Sequence, residues 1–254
     1  MKKIYQCELA EKNELADGIF DFRIKSSEIA KATSCGQFLH INCGKGSLLR
    51  RPISICDVTE DVVRFIFEVK GKGTTELAET KVGETIDVLG PLGNGFKLGD
   101  YKNTVVIGGG IGVFPLFNLT KQLDNPTVFL GFRSKDRVVM EDEFKAIAPN
   151  TVIATDDGTY GYNGFAVELL KKHLAENSCD MIYSCGPMPM LRAVKKIAED
   201  AGVKCQISLE QRMGCGIGAC LVCSCETKLE GTEKYAKVCK DGPVFWADEV
   251  TLND

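Results

Sequence analysis

Four cysteines in the last fifth of the chain stand at a spacing that can do chemistry: Cys215-x4-Cys220-x2-Cys223-x15-Cys239, in the run LEQRMGCGIGACLVCSCE and the later VCKDGPVF. A C-x4-C-x2-C run with a fourth cysteine further on is the loop pattern of a plant-type [2Fe–2S] cluster. Such a cluster carries one electron at a time, so the expected role is wiring a two-electron donor to a distant acceptor. Gly214, Gly216 and Gly218 alternate with Cys215 and lead to Cys220. Glycine permits the positive φ values and close backbone approach that a loop needs to aim N–H groups at sulfur.

Zinc and disulfides are the competing readings. Zinc favours C-x2-C pairs completed by a second such pair or by histidines. Only Cys220/Cys223 makes that pair here, and the two histidines, His40 and His173, are far away in sequence. Disulfides need an oxidising compartment. Cys225, two residues after Cys223, reads as a bystander, with a ligand exchange left open. The other thiols (Cys7, Cys35, Cys43, Cys56, Cys179, Cys185 and Cys205) are scattered, as in a protein of the reducing cytoplasm rather than a secreted scaffold.

The net charge of -4 argues against a nucleic-acid binder. The N-terminus MKKIYQCELAEKNELADG lacks the apolar core of a signal peptide. The longest apolar stretch, Thr104 to Phe117, is too short and glycine-rich to span a bilayer. The expectation is a cytoplasmic protein without membrane or nucleic-acid partners.

The elements that must position the cysteines divide the 254 residues into three regions. Residues 1–100 read as β: HINCG, RPISICDV, VVRFIFEVK and ETIDVLGPLG are separated by turn signals at 17–18, 44–46, 82–84 and 92–95, which predicts a small sandwich or barrel. Thr74 to Thr80 reads as one short helix capped by Thr74. Residues 101–207 alternate strand and helix. TVVIGGG, VFLGFRS, VIATDDG and MIYSCGP read as buried parallel strands; Pro115–Leu123, Gly164–Leu174 and Met188–Ala201 read as crossover helices. Sites in such sheets lie at the carboxyl ends of strands. Residues 208–254 form the cysteine-rich segment.

Other motifs are weaker alone. Gly108-Gly109-Gly110-Ile111-Gly112-Val113-Phe114-Pro115 links a strand to a helix, where backbone can approach a pyrophosphate. It departs from G-x-G-x-x-G at Pro115, and the second strand ends at Arg133 rather than at an acid. An arginine there could accommodate a 2′-phosphate, which leaves NAD and NADP both open. Arg51-Pro52-Ile53-Ser54 could offer a phosphate partner and a heterocycle contact, though by itself it reads as a surface Arg beside a strand-initiating Pro. Cys185-Gly186-Pro187 ends a strand, its thiol facing the crevice, or is a structural turn. Glu210, before the cysteine loop, is a site residue or a solvated carboxylate.

Taken in order, RPIS, the GKGT segment (Gly71 to Thr74), GGGIGVFP, CGP and the cysteine loop resemble the ferredoxin-reductase-type flavoproteins. More closely, nearly the whole chain resembles the electron-transfer subunits of NAD-dependent, class 1B dihydroorotate dehydrogenase. The resemblance implies a multi-domain protein: an antiparallel β-barrel FAD domain, an α/β parallel-sheet NAD-binding domain and a small C-terminal [2Fe–2S] domain. It implies FAD contacts from Arg51, Pro52, Ile53, Ser54, Glu68, Val69, Lys70, Gly73, Thr74 and Thr75. It implies nicotinamide nucleotide contacts from Gly109, Gly110, Gly112 and Cys185, and cluster ligation by Cys215, Cys220, Cys223 and Cys239. The implied chemistry is a relay from the FMN of a separate catalytic subunit that oxidises dihydroorotate, through [2Fe–2S] and FAD, to NAD⁺, in a heterotetramer serving pyrimidine biosynthesis. No base or nucleophile constellation for dihydroorotate stands out in the chain. The alternative is a subunit of a ferredoxin:NADP⁺ oxidoreductase or sulfide dehydrogenase, in which a cluster ligand can be Asp and the last spacing shorter; four cysteines and the x15 gap favour the first reading. A metal-binding regulatory module without flavin is the reading from another class, and RPIS followed by GKGT argues against it.

Overall fold

Short strands rich in Phe, Ile and Val build the N-terminal half of a computed structural model that describes residues 3–44, 46–228 and 234–252. Lys45 of the expected 44–46 turn lies outside these. The strands are β1 (Lys3–Ala16), β2 (Ile19–Lys25), β3 (Phe38–Ile41), β4 (Arg51–Val58), β5 (Val62–Glu68) and β6 (Thr85–Leu92), with helices α1 (Ser27–Ala32) and α2 (Lys72–Ala78). They close into an antiparallel barrel in the order β1-β2-β5-β4-β3-β6. Of the sandwich and the barrel left open by strand spacing, the chain adopts the barrel. Closure removes the exposed edges that a six-stranded sheet would otherwise present. Alternate residues point inward, so Leu9, Phe22, Ile24, Leu39, Ile41, Phe65 and Phe67 fill the interior. Phe22 and Phe67 meet edge-on at 5.1 Å between centroids, and a fully buried Phe contributes about 1.5–3 kcal/mol.

From Thr104 the pattern changes to buried apolar strands followed by helices: β7 (Thr104–Gly109), α3 (Phe114–Thr120), β8 (Thr127–Phe132), α4 (Glu141–Ile147), β9 (Thr151–Thr155), β10 (Tyr162–Asn163), α5 (Ala166–Glu176), β11 (Met181–Cys185), α6 (Met188–Ala201) and β12 (Lys204–Ser208). The remaining strands are β13 (Ser224–Glu226), β14 (Tyr235–Lys237) and β15 (Val244–Trp246). One sheet has the order β10-β9-β8-β7-β11-β12-β15. It is parallel except for β15, which returns antiparallel against β12. The C-terminal segment is thereby tied into the sheet. It also reaches the barrel side, where Asn94 Nδ2 donates to the carbonyls of Lys240 and Asp241 at 3.1 and 2.9 Å.

Several expected elements are corrected. The helix expected at Thr74–Thr80 begins at Lys72, and Thr74 caps it from the third helical position: its Oγ1 accepts from Lys70 N (2.9 Å) and Gly71 N (3.2 Å). HINCG is strand only to Ile41, because Gly44 turns the chain at φ +122°. The helix expected from Gly164 begins at Ala166, since Gly164 sits at φ +138°, outside helical space. The helix expected from Pro115 to Leu123 spans Phe114–Thr120, after which the chain tightens into a turn through Asn125 at φ +44°. Met188–Ala201 forms as expected. Among the described residues no helix is long and apolar enough to cross a membrane.

Candidate functional site

The segment between β12 and β13 carries three of the four cysteines on a chain with no regular hydrogen-bond ladder of its own. Gly216 (φ +69°) and Gly218 (φ +83°) give it the left-handed turns that bend it around Cys215. Backbone N–H groups of Cys220 (3.4 Å) and Ile217 (3.5 Å) point at the Cys215 sulfur. Partial burial pushes the Cys215 thiol up, but the N–H groups of Cys220 and Ile217 outweigh it, and its pKa falls to about 6. A thiol held as thiolate by backbone N–H donors is suited to bind a metal. Cys239, just after β14, is buried against Cys223, and burial followed by the Cys223 side chain pushes its thiol up to about 12. The thiols thus form two pairs, Cys215 with Cys220 and Cys223 with Cys239. Among the described residues no three His, Cys, Asp or Glu side chains gather around one ion position. Paired thiols with inward N–H groups fit a two-iron group, whose four thiolates are shared between two metals. Cys225 lies on β13 in the apolar core, its pKa raised to about 11 by burial and then by the charge of Cys223.

The loop packs on the barrel's outer surface. Leu39 and Ile41 point into the barrel, so Phe38 and His40 point out. Phe38 shares a core with Met213, Cys223 and Cys239. His40 abuts Gly216: a Cβ there would lie 2.5 Å from His40 Nδ1. His40 is 1% exposed, and neither ring nitrogen has a hydrogen-bond partner. Burial first, and Arg50 next, lower its pKa to about 4. Across the β3–β4 ladder, Phe38 stands opposite Ser54 and His40 opposite Pro52. The sequence separated His40 from the cysteines; the signal that could have joined them was a polar residue on the outward phase of the strand FLHI.

The RPIS and GKGT residues gather at one end of the barrel. β4 begins at Arg51, whose Nη1 donates to Leu49 O at 2.5 Å. The Arg51 guanidinium crosses Gly73, where a Cβ would stand 2.8 Å from Nε, so a side chain at 73 would displace it. Thr75 Oγ1 donates to Gly71 O at 3.2 Å, and Val69 N to Gly18 O at 2.9 Å. Ile53 packs partly on the barrel core, while Pro52 and Ser54 stay partly accessible. Glu68, at the end of β5, pairs with Lys70 at 3.2 Å and with Arg137.

Beside Glu68 lies a cleft of about 520 Å³ between the barrel and the carboxyl ends of β7 and β8, lined among others by Ile19, Gly110, Phe114, Arg133 and Arg137. Gly110 (φ +54°) has open space where a Cβ would be. Gly109 and Gly112 are closed off: a Cβ at Gly109 would meet Met190 Sδ at 2.7 Å, and one at Gly112 would meet the Cys185 carbonyl at 2.6 Å. The GGGIG and CGP turns therefore pack backbone to backbone at the ends of β7 and β11, which pair in register with Cys185 opposite Gly108. The Cys185 thiol, expected to face the crevice, is half-buried; burial, opposed by Ser208, pushes it up to about 12. Glu210 and Arg133 are exposed.

The cleft walls are clamped by a group that sequence reasoning passed over. Arg64 on β5 donates to Asp21 on β2 (2.9–3.1 Å) and to Glu143 on α4 (Nη2–Oε1 3.0 Å). Arg64 and Asp21 are buried, joining barrel to sheet domain. A lone Arg inside the apolar strand VVRFIFE was the available signal.

Residues 210–251 match the iron-sulfur cluster binding domain of dihydroorotate dehydrogenase B, and residues 106–196 match the oxidoreductase NAD-binding domain. The chain is 43% identical to the dihydroorotate dehydrogenase B (NAD(+)) electron transfer subunit of Bacillus pumilus, over 100% of both chains. It is 42% identical to the same subunit of Fusobacterium nucleatum, covering 98% of this chain and 99% of that one. A solved structure described as the NADH-dependent reduced ferredoxin-NADP oxidoreductase superposes with a TM-score of 0.88 at 32% identity, over 98% of this chain and 90% of that one. The cytochrome b5 reductase domain of Ulva prolifera nitrate reductase shares the fold (TM-score 0.66, 19% identity, 80% and 94% covered). With full-length identity above 40%, barrel, NAD-binding sheet and cysteine domain in one order, the chain belongs to the family of dihydroorotate dehydrogenase B (NAD(+)) electron transfer subunits.

Proposed function

We propose that this chain takes electrons from the FMN of a dihydroorotate-oxidising catalytic subunit and delivers them to NAD⁺, in a cytoplasmic heterotetramer of two catalytic and two electron-transfer chains. The observation that carries this is the seating of the cysteine loop, through Phe38 and His40, on the strand that pairs with the RPIS strand. Directly opposed residues of an antiparallel pair share a face, so Pro52 and Ser54 stand on the same outer face as His40 and Phe38, and the two candidate cofactor sites are neighbours on one strand pair, as a relay requires. When bound, the iron–sulfur group and FAD supply one-electron carriage and the exchange between single electrons and a hydride.

The chain's own residues supply position and electrostatics. Residues 1–100, 101–207 and 208–254 act as flavin, nucleotide and cluster units. Cys215, Cys220, Cys223 and Cys239 would hold the iron–sulfur group through their thiolates. Arg51, laid across Gly73, neutralises the flavin pyrophosphate. Pro52, Ile53 and Ser54 border the flavin ring, and Glu68, Val69, Lys70, Thr74 and Thr75 continue its site around the barrel end. Gly110 leaves the opening for the dinucleotide, while Gly109, Gly112 and Cys185 fix the floor beneath it.

Cys223→Ser tests this reading. The variant should lose cluster absorbance and electron transfer to the catalytic subunit, yet keep NADH oxidation by artificial dyes. Full-rate transfer to the partner in that variant would overturn it. The ferredoxin–NADP reading draws on the 32% identical structure; the 43% full-length identity favours the dihydroorotate relay, and preference for NADPH over NADH would reverse that order.

A further inference from the structure

His40 is the one imidazole beside the cysteine loop, and both its ring nitrogens are buried without a partner. A buried polar group left unpaired costs about 1–3 kcal/mol, while a Phe would fill the same outward position of β3 with no such cost. The surroundings relieve it little: the Arg50 backbone favours the protonated ring, yet neither ring nitrogen makes a hydrogen bond. Arg50 Nη1, the nearest cation's donor, is spent on the carbonyls of His40 and Asp87, both at 3.2 Å. Arg51 turns to Leu49 O. The ring face that remains looks at Gly216, the residue after Cys215, and only glycine leaves room for it: a Cβ would come within 2.5 Å of Nδ1 and 3.1 Å of Cγ and Cε1. Loop and imidazole therefore fit as a matched pair, glycine against ring nitrogen.

We propose that His40 is a hydrogen-bond donor to the iron–sulfur group, giving its ring N–H to the anionic sulfur cage from the barrel side of the loop. This rests on the cluster reading above. Thiolate and sulfide sulfurs are acceptors only, so they suit a neutral imidazole's N–H. Hydrogen bonds to the sulfurs are among the determinants of a cluster's potential. The backbone donors of Ile217 and Cys220 serve Cys215 from within the loop; His40 adds a donor from another domain. Because its strand neighbour is Pro52, this donor couples the position of the flavin-side strand to the cluster.

The test compares wild type, His40→Phe, His40→Gln and His40→Met as full chains with cofactors. The readouts are the EPR spectrum of the reduced cluster and its midpoint potential by redox titration, with the flavin titrated in the same samples. An N–H aimed at sulfur favours the reduced, more negative state. Its loss in His40→Phe and His40→Met should shift the oxidised-to-reduced ratio about tenfold, about 59 mV downward for one electron, with altered g values. His40→Gln, which keeps an N–H at similar reach, should recover most of the shift. Should His40→Phe fail to retain the cluster, His40→Met against His40→Gln decides on the same scale. Unchanged cluster potential and g values, or a shift confined to the flavin, would overturn the proposal. A wild-type protein without any cluster EPR signal would instead overturn the cluster reading itself.

Discussion

Replacing Gly216 by Ala perturbs the point where cysteine loop and barrel touch, and the structure separates the cost into two parts. The first is conformational: an L-residue forced to φ +69° loses about 1–2 kcal/mol. The second is steric. The new methyl would sit 2.5 Å from His40 Nδ1, and the ring is held in a barrel strand at 1% exposure, so neither side yields freely. Overpacking of this kind costs about 1–3 kcal/mol. The expected total is about 2–5 kcal/mol. Removing the ring by His40→Ala should cancel the steric part and leave the conformational part, giving a coupling of about 1–3 kcal/mol in the double-mutant cycle. Gly218→Ala is the control: its φ is +83°, but its methyl would meet Lys240, where Cδ at 2.7 Å can swing away and only Cβ, at 3.0 Å, is fixed to the backbone. Urea unfolding of the four holoproteins, followed by far-UV circular dichroism and cluster absorbance, gives the cycle. Additivity of Gly216→Ala and His40→Ala within about 0.5 kcal/mol would refute the packing argument.

Arg51→Ala should weaken flavin retention, because the guanidinium over Gly73 is the cation best placed for a pyrophosphate; flavin content equal to wild type after desalting would count against that role. Stability of the cluster-free chain should also fall in acid through His40. Its pKa is about 4 when folded and about 6.5 when free, so the unfolded chain binds the proton first; the contribution is full above about pH 6.5 and is lost as pH falls through about 4. The difference amounts to about 3 kcal/mol, visible as a smaller acid-induced drop in unfolding midpoint for His40→Gln than for wild type. Equal drops would exclude His40 as the source.

The iron–sulfur domain was legible because cysteine spacing and glycine placement are local properties of the chain. The β-to-α/β change at Tyr101 was equally readable, since buried parallel strands such as TVVIGGG are continuous apolar runs. Barrel closure was not fixed by strand spacing, because it depends on β6 pairing back to β1, a contact set by register across the whole half. Helix starts shifted where a glycine's φ decided the boundary, as at Gly164, or where a threonine caps from inside the helix, as at Thr74. The return of β15 to the parallel sheet was hidden, because three residues carry no periodicity. His40 against Gly216 and Arg64 with Asp21 and Glu143 were missed for one reason: each joins residues 79 to 176 positions apart or crosses a strand pair. Only the fold brings them together.

The relay itself is tested most directly by the visible spectrum of the purified chain under anaerobic conditions, recorded before and after addition of NADH. Bleaching of both flavin and iron–sulfur bands is the expected result. A colourless protein, or a coloured one inert to NADH and NADPH alike, would contradict it.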